Sequence, residues 1–360
     1  MSHPQETQVK VRVVGVGGAG GNAIARMVKN KLHGVEYLAL NTDAQVLRRN
    51  RQVPSIAIGP GLTRGMGSGG HPDVGRKAIK ESYDQVSEAL SGSDMVFVAA
   101  GMGGGTGTGA ASTVAEIARR SGALTVGVVT MPFSFEGPTR RAVAEQGLQM
   151  LGQKVDTLIA VENDRLLPSL EGKVKLDKAF RLADEVLRQG VQGVSDIITV
   201  PGLINVDFAD VRSVMSNGGP SFMAMGEAKG PRAALDAARA ALSNPLFDAP
   251  LEGATGILLN VKGGKDLTLG QVHEVADAIR KAGNPRANIM FGVVQDRWMR
   301  SRVEVTLVAT GLTTAASAGA IPHSFTPSIP DALPDEEMRI QTPSSNGHVA
   351  ASAIGGLRLL

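Results

Sequence analysis

The chain has no cysteine, which excludes disulfides, thiolate metal sites and thiol catalysis. Aromatic residues fill only 3% of its 360 positions, so a core must rest on Val, Leu, Ile, Ala and Met. Excess charge is scarce as well. A formal balance of +3, with no basic stripe interleaved with aromatics, argues against a nucleic-acid partner. No run approaches the ~18 apolar residues of a spanning helix. Met1 to Lys10 lacks the apolar segment of a secretory signal. The expectation is a cytoplasmic protein without direct membrane insertion. The six histidines (His3, His33, His71, His273, His323 and His348) show no metal-ligand spacing, and no metal ligand is assigned. The Walker-type G-x-x-x-x-G-K-[ST], H-E-x-x-H and G-x-S-x-G are also missing.

Glycine is abundant, at 45 residues, and much of it is clustered. Gly101 to Gly109, GMGGGTGTG, carries six glycines in nine positions between the apolar run Met95–Ala100 and a helical pattern over Ala110–Arg120. Bare N–H groups at such a junction can converge on one point, and a helix N-terminus adds positive potential there. A polyphosphate suits that cup, and a flexible hinge is the plain alternative. A second loop follows the strand Val11–Val14. Gly15, Gly17 and Gly20 form G-x-G-x-x-G before a helix over Ala23–Lys31, and Asp43 lies 23 residues after Gly20. A Rossmann dinucleotide site needs an acid at about that distance, so an NAD-binding oxidoreductase is a rival reading.

Strands at 35–40, 124–131 and 158–161 alternate with helices at 73–90 and from Pro138, with Asp73 as N-cap and Pro138 in the first turn. That alternation predicts a Rossmann-like parallel sheet binding its ligand at the carboxyl edge. Apolar residues at 176, 180, 183, 187, 191, 194 and 198 predict a long helix, roughly 33 Å over about 22 residues. A smaller mixed α/β domain follows. The expected division is an N-terminal extension 1–9, a nucleotide domain 10–175, a linking helix 176–200, a second domain 201–312 and a disordered tail 313–360 rich in Ala, Ser, Pro and Thr. Asp207 and Asp210 begin a helix beyond the long one. They read either as N-cap and N3 residues or as a carboxylate pair orienting a water. The long helix separates them from the glycine loops, so two chains stacked head to tail would be needed to bring them to one site.

The segment Gly103–Gly109, GGGTGTG, resembles the signature of the tubulin/FtsZ superfamily. Gly17 to Asn22, Asn41-Thr42-Asp43, Phe135-Glu136-Gly137 and Asn205-Val206-Asp207-Phe208-Ala209-Asp210 resemble the FtsZ family of prokaryotic cell-division GTPases, in its order and spacing, over about residues 10 to 312. The resemblance implies that Gly18, Gly20, Gly21 and Asn22 hold the α- and β-phosphates and the sugar side. It implies that Gly101, Gly103, Gly104, Gly105, Gly107 and Gly109 cradle phosphates, with Thr106 and Thr108 donating hydroxyls and Asp43 among the nucleotide-binding positions. Glu136 and Arg140 would hold the ribose and base edge, Asn163 and Asp184 would read guanine, and Phe180 would stack on it. Each has a plain reading too: Asn163-Asp164 as a cap, Asp184 and Arg188 as an i,i+4 pair, Phe180 as core. Asn205, Asp207 and Asp210 would complete the neighbouring subunit's site. The implied cofactors are GTP or GDP, Mg²⁺ and a monovalent cation such as K⁺. The implied partners are further copies of the chain and cell-division adaptors and regulators, acting in a division ring. Glu162, Ser112 and Gly70-His71-Pro72 depart from the family's usual residues, as does the closing Ala353–Leu360, which lacks the family's acidic-apolar end. A non-hydrolysing scaffold of the same fold is the remaining alternative.

Overall fold

The computed structural model describes residues 9–30, 32, 34–169, 175–200, 202–216, 218–244 and 251–312. The expected disordered segments, 313–360 and all but Val9 of 1–9, lie outside these residues. The first half alternates strictly. Strands β1 (Val11–Val16), β2 (Val35–Asn41), β3 (Ser55–Ala57), β4 (Met95–Gly101), β5 (Leu124–Met131) and β6 (Thr157–Glu162) lie parallel in the order β3-β2-β1-β4-β5-β6. Between them run helices α1 (Gly17–Lys29), α2 (Ala44–Arg49), α3 (Pro60–Thr63), α4 (Pro72–Glu81), α5 (Tyr83–Leu90), α6 (Thr106–Arg120) and α7 (Pro138–Gly152). Every residue of β5, and β4 from Met95 to Ala100, is buried, as a sheet covered on both faces requires. On one face Val96, Val98 and Val129 meet Ala110, Val114 and Ala118 of α6; on the other Phe97, Val126 and Val128 meet Ile24, Leu187 and Val191.

Helix α8 (Leu176–Thr199) follows the apolar spacing read from the sequence and spans about 36 Å over its 24 residues. Gly190 and Gly193 let it lie close to two sheet regions at once. A Cβ at Gly190 would stand 2.9 Å from a Val128 methyl, and one at Gly193 would stand 2.5 Å from the Thr306 methyl. Beyond it come α9 (Phe208–Met215), β7 (Gly219–Lys229), α10 (Ala233–Leu242), β8 (Gly256–Gly263), α11 (Leu269–Ala282), β9 (Asn288–Gln295) and β10 (Arg302–Thr310). These strands continue the same sheet as β6-β7-β10-β8-β9. The join is short: Thr157, Leu158 and Ile159 pair parallel with Gly219, Pro220 and Ser221, after which β7 runs antiparallel to β10. The result is a large parallel-sheet domain and a smaller mixed one. Between α8 and the C-terminal strands, buried Asp196 faces Lys262 at 3.7 Å, with half-buried Glu304 nearby; burial raises the pKa of both carboxyls. Among the described residues no helix is long and apolar enough to cross a membrane.

Three local readings change. The helix expected over 73–90 is divided at Ser82, whose hydroxyl accepts the Gly59 N–H at 3.0 Å while its backbone N–H and carbonyl still bond Ala78 and Val86. Its N-cap is His71, with Pro72 opening the helix and Asp73 in the first turn. Helices α1 and α6 begin at Gly17 and Thr106, so Gly17, Gly20, Gly21, Gly107 and Gly109 lie in the first helical turns while Gly103, Gly104 and Gly105 precede α6.

Candidate functional site

The glycine loops fall at the carboxyl ends of the adjacent strands β1 and β4. Several of their glycines are demanded by packing. A Cβ at Gly20 would stand 2.2 Å from the Ala99 carbonyl oxygen, one at Gly107 2.6 Å from that of Gly101, and one at Gly109 2.0 Å from that of Pro72. These residues bring α1 and α6 against the sheet and α6 against α4. Gly18 and Gly104 behave oppositely: nothing lies within 4 Å of a Cβ at either, and both face a cleft of about 250 Å³. Helix α6 has no side-chain cap at Gly105, so its first-turn N–H groups are left to whatever occupies that cleft.

Seen from the cleft, the site residues read from sequence separate into two groups. Gly18, Gly101, Gly104, Gly105, Thr106, Glu136, Arg140, Asn163, Phe180 and Asp184 line it. Gly20, Gly21, Asn22, Gly103, Gly107, Thr108 and Gly109 stand behind or beside it. Thr108 is buried and accepts the Gly103 N–H at 2.9 Å, so its hydroxyl braces the loop from within. Asp43 is the N-cap of α2: one carboxylate oxygen accepts the Gln45 and Val46 N–H groups. Ser68, Thr130 and Met131 also line the cleft and carried no sequence signal beyond their place in or beside loops.

Opposite the cup, the walls suit a flat polar ring. Phe133, Phe135 and Phe180 form an aromatic cluster with centroids 5.1 to 6.4 Å apart, and Phe180 keeps 40% of its surface exposed. Glu136 accepts the Phe133 N–H and pairs with Arg140 at 3.2 Å. Asn163 follows β6 and is only 5% exposed, yet its Oδ1 has no hydrogen-bond partner. A buried amide oxygen left unpaired beside a cleft is costly unless a ligand completes it. Asp184 comes from α8. Burial raises its pKa, and the Arg26 guanidinium, 3.1 Å from Oδ2, opposes that shift. The expected pairing of Asp184 with Arg188 is therefore replaced: Arg188 binds Glu185 on its own helix, while Asp184 reaches across to α1.

Asn205, Asp207 and Asp210 are not in the cleft. Gly202 N–H donates to Asn205 Oδ1 at 2.7 Å, and Ile204 bridges to Val293. Asp207 caps α9 by accepting the Asp210 N–H at 2.8 Å, so the capping reading holds. Two residues on, Arg212 donates to the carbonyls of Asp94 and Gly122, which immediately precede and lie close before β4 and β5. The acids therefore sit at the amino edge of the sheet, whereas the cup is at its carboxyl edge. Asn205 and Asp207 are exposed and Asp210 half-buried. Among the described residues no cluster of three or more acids or histidines could hold a metal.

Residues 10–171 match the model of the Tubulin/FtsZ family GTPase domain, and residues 219–313 match that of the FtsZ family C-terminal domain. A structure of an empty FtsZ dimer from M. jannaschii is 46% identical, over 85% of this chain and 89% of that one, with a TM-score of 0.82. A second M. jannaschii FtsZ structure is 45% identical, over 86% and 92%, with the same TM-score. The fold also matches a GTPγS-bound protofilament of CetZ2 from Haloferax volcanii, at 20% identity over 86% and 95%, with a TM-score of 0.72.

Proposed function

The chain belongs to the tubulin/FtsZ family, and from that premise we propose that it binds GTP in the carboxyl-edge cleft, adds head to tail, and hydrolyses GTP at the junction between subunits. One observation carries this reading: the phosphate cup and the Asp207/Asp210 pair occupy opposite edges of one sheet. A chain stacked on another in the same orientation would set the second chain's acids over the first chain's cup. Such a contact is heterologous and does not close, so it builds a filament.

Each residue then has a task. The N–H groups of Gly104 to Thr106 and the hydroxyl of Thr106 take the phosphates, with the N-terminus of α6 adding positive potential. Glu136 and Arg140 take the ribose and base edge. Phe180 offers a ring for the base to stack on. Asn163 Oδ1 and the Asp184 carboxylate accept from guanine's N1–H and 2-amino group; adenine lacks both donors, so GTP is preferred over ATP. From the neighbouring chain, Asn205 fixes the loop while Asp207 and Asp210 orient the attacking water. Catalysis is mainly positioning, since phosphoryl transfer needs little covalent help from a protein. The donor set does not fit a metal held by the protein alone, because Glu136 and Asp184 are already paired with arginines. Mg²⁺ is expected to come with the phosphates, and a monovalent cation such as K⁺ to sit at the junction between subunits. The cellular role that follows is a filament at the division site, recruited by adaptor proteins.

The test is phosphate release from GTP against protein concentration with Mg²⁺ present. A threshold followed by a linear rise is the expected result. A constant rate per chain down to high dilution would mean a self-contained site and would return Asp207 and Asp210 to capping alone.

A further inference from the structure

Asn163 lines the cleft with an acceptor that is free for a ligand and for the same reason does nothing to hold its own side chain in place: Oδ1 has no partner. The sheet does not hold it either. Glu162 pairs with Met131 at the last step between β6 and β5, and Asn163 begins a 3₁₀ turn one residue further on. The direction of its amide is therefore set by the residues on either side. Both are acids, and both are tied down. The Glu162 carboxylate accepts from Arg141 of α7 through both oxygens, Nη1 to Oε2 at 2.5 Å and Nη2 to Oε1 at 3.0 Å. Asp164 Oδ1 accepts the Ser134 N–H at 2.9 Å, at the start of the turn Ser134–Glu136 that follows β5. Arg141 is itself braced by Glu145 one helical turn on, Nε to Oε1 at 2.8 Å. Its neighbour Arg140 lines the cleft instead.

Magnitude decides what the Arg141–Glu162 pair supplies. The two side chains keep 39% and 32% of their surface exposed, and an ion pair so exposed adds little to stability. A two-pronged arginine–carboxylate contact does fix direction as well as distance. Here it locks the end of β6, which carries Asn163, to α7, which carries Arg140. Direction matters at this wall because a hydrogen bond weakens steeply as its angle and length depart from ideal. A well-placed oxygen meets a donor on the guanine edge and the lone pair of N1 on the adenine edge. One that drifts loses the attraction to the first and the repulsion from the second. Resting on the nucleotide reading above, we propose that Glu162 is a positioning residue for base recognition: held by Arg141, it aims Asn163 Oδ1 at the base and so sets the preference for guanine over adenine.

The experiment is competition of GDP and ADP against a fluorescent guanine nucleotide on the full chain, with thermal midpoints measured in parallel. Glu162→Ala is expected to lose about fivefold in the ratio of GDP to ADP affinity, the scale of one neutral hydrogen bond. Its midpoint should stay within about 3 °C of the wild type's. Arg141→Met removes the other half of the pair and should lose the same ratio. Asn163→Ala should lose the ratio by itself, and adding Glu162→Ala to it should lose no more, because Glu162 acts through Asn163. An unchanged ratio in Glu162→Ala or in Arg141→Met would overturn the proposal. So would equal weakening of both nucleotides, which means a merely structural pair, or a further loss in the double variant, which means that Glu162 acts by another route. Wild-type protein that binds GDP no better than ADP would overturn the underlying reading and this proposal with it. The wild-type arm alone reveals that case, whereas a guanine-selective wild type beside an equally selective Glu162→Ala removes this proposal only.

Discussion

At its carboxyl edge the parallel sheet meets the cleft with backbone, while at its amino edge it presents side chains. The cup is made by glycines whose missing Cβ atoms let two helices and a sheet close on each other, and at its glycine loops the groups that face the cleft are mostly backbone, whose N–H donors only proline would delete. The acid loop is made by Asp207 and Asp210 at the start of α9, where Asp207 is exposed and caps the helix and Asp210 is half-buried. On the proposed reading the cup would couple binding to folding, whereas at the acid loop only the Asp207 cap ties the chemistry to stability.

The hardest way to break that contrast is within the cup itself. Gly109→Ala places a Cβ 2.0 Å from the Pro72 carbonyl oxygen and 2.9 Å from the Arg76 nitrogen. Backbone on both sides cannot give way cheaply, so a stability loss of about 3 kcal/mol or more is expected from a denaturant titration. Gly104→Ala, only five residues away, meets nothing within 4 Å and should keep its midpoint while binding nucleotide about tenfold more weakly, because the new methyl enters the cleft. Equal stability loss in both variants would erase the distinction between packing and lining glycines.

At the other edge, Asp210→Ala should keep GTP affinity and thermal midpoint while phosphate release falls by about 10² or more, the scale of one catalytic electrostatic group. Normal turnover in that variant would remove the acids from catalysis. The smallest effect concerns the ground between the two edges. Glu304 beside α8 has its pKa raised from 4.5 by burial, with Asp196 adding to the shift and Lys262 opposing it. A carboxyl whose folded pKa is raised contributes stability fully below 4.5 and loses it as pH rises through the folded value. Glu304→Gln cannot ionise and should escape that loss. Its midpoint should exceed the wild type's by up to a few degrees at neutral pH, the gap closing as pH falls toward 4.5. A gap that widens on acidification would contradict the burial effect.

Much of this architecture is readable in the residues. Strand and helix alternation through β6, the long α8 and the converging glycine loops all follow from local periodicity and turn chemistry. What local pattern hid was the choice among partners. Asp184 has Arg188 one helical turn away and Arg26 on another helix, and only the packing of α1 against α8 selects the second. Asp43 has the spacing of a ribose-binding acid, yet a free helix start two residues on takes its carboxylate. Ser82 reads as one more residue in a helical run, and its hydroxyl takes the N–H of Gly59, 23 positions earlier. Ser68 and Thr42 both reach the Thr106 hydroxyl through β-strand order, which no window along the chain can contain.

The three-residue join between β6 and β7 also sets a schedule. Fifty-seven positions separate Glu162, where β6 ends, from Gly219, where β7 begins. At ~5–20 residues per second, a ribosome needs about 3 to 11 seconds to make that interval. Throughout it, the six N-terminal strands can already be paired while one side of β6 still shows its bare N–H and C=O groups to the surroundings. An open strand edge of that kind invites pairing with another nascent chain. Much of the interval is spent making α8, which packs across β5 and shields the neighbouring face before β7 arrives to close the edge.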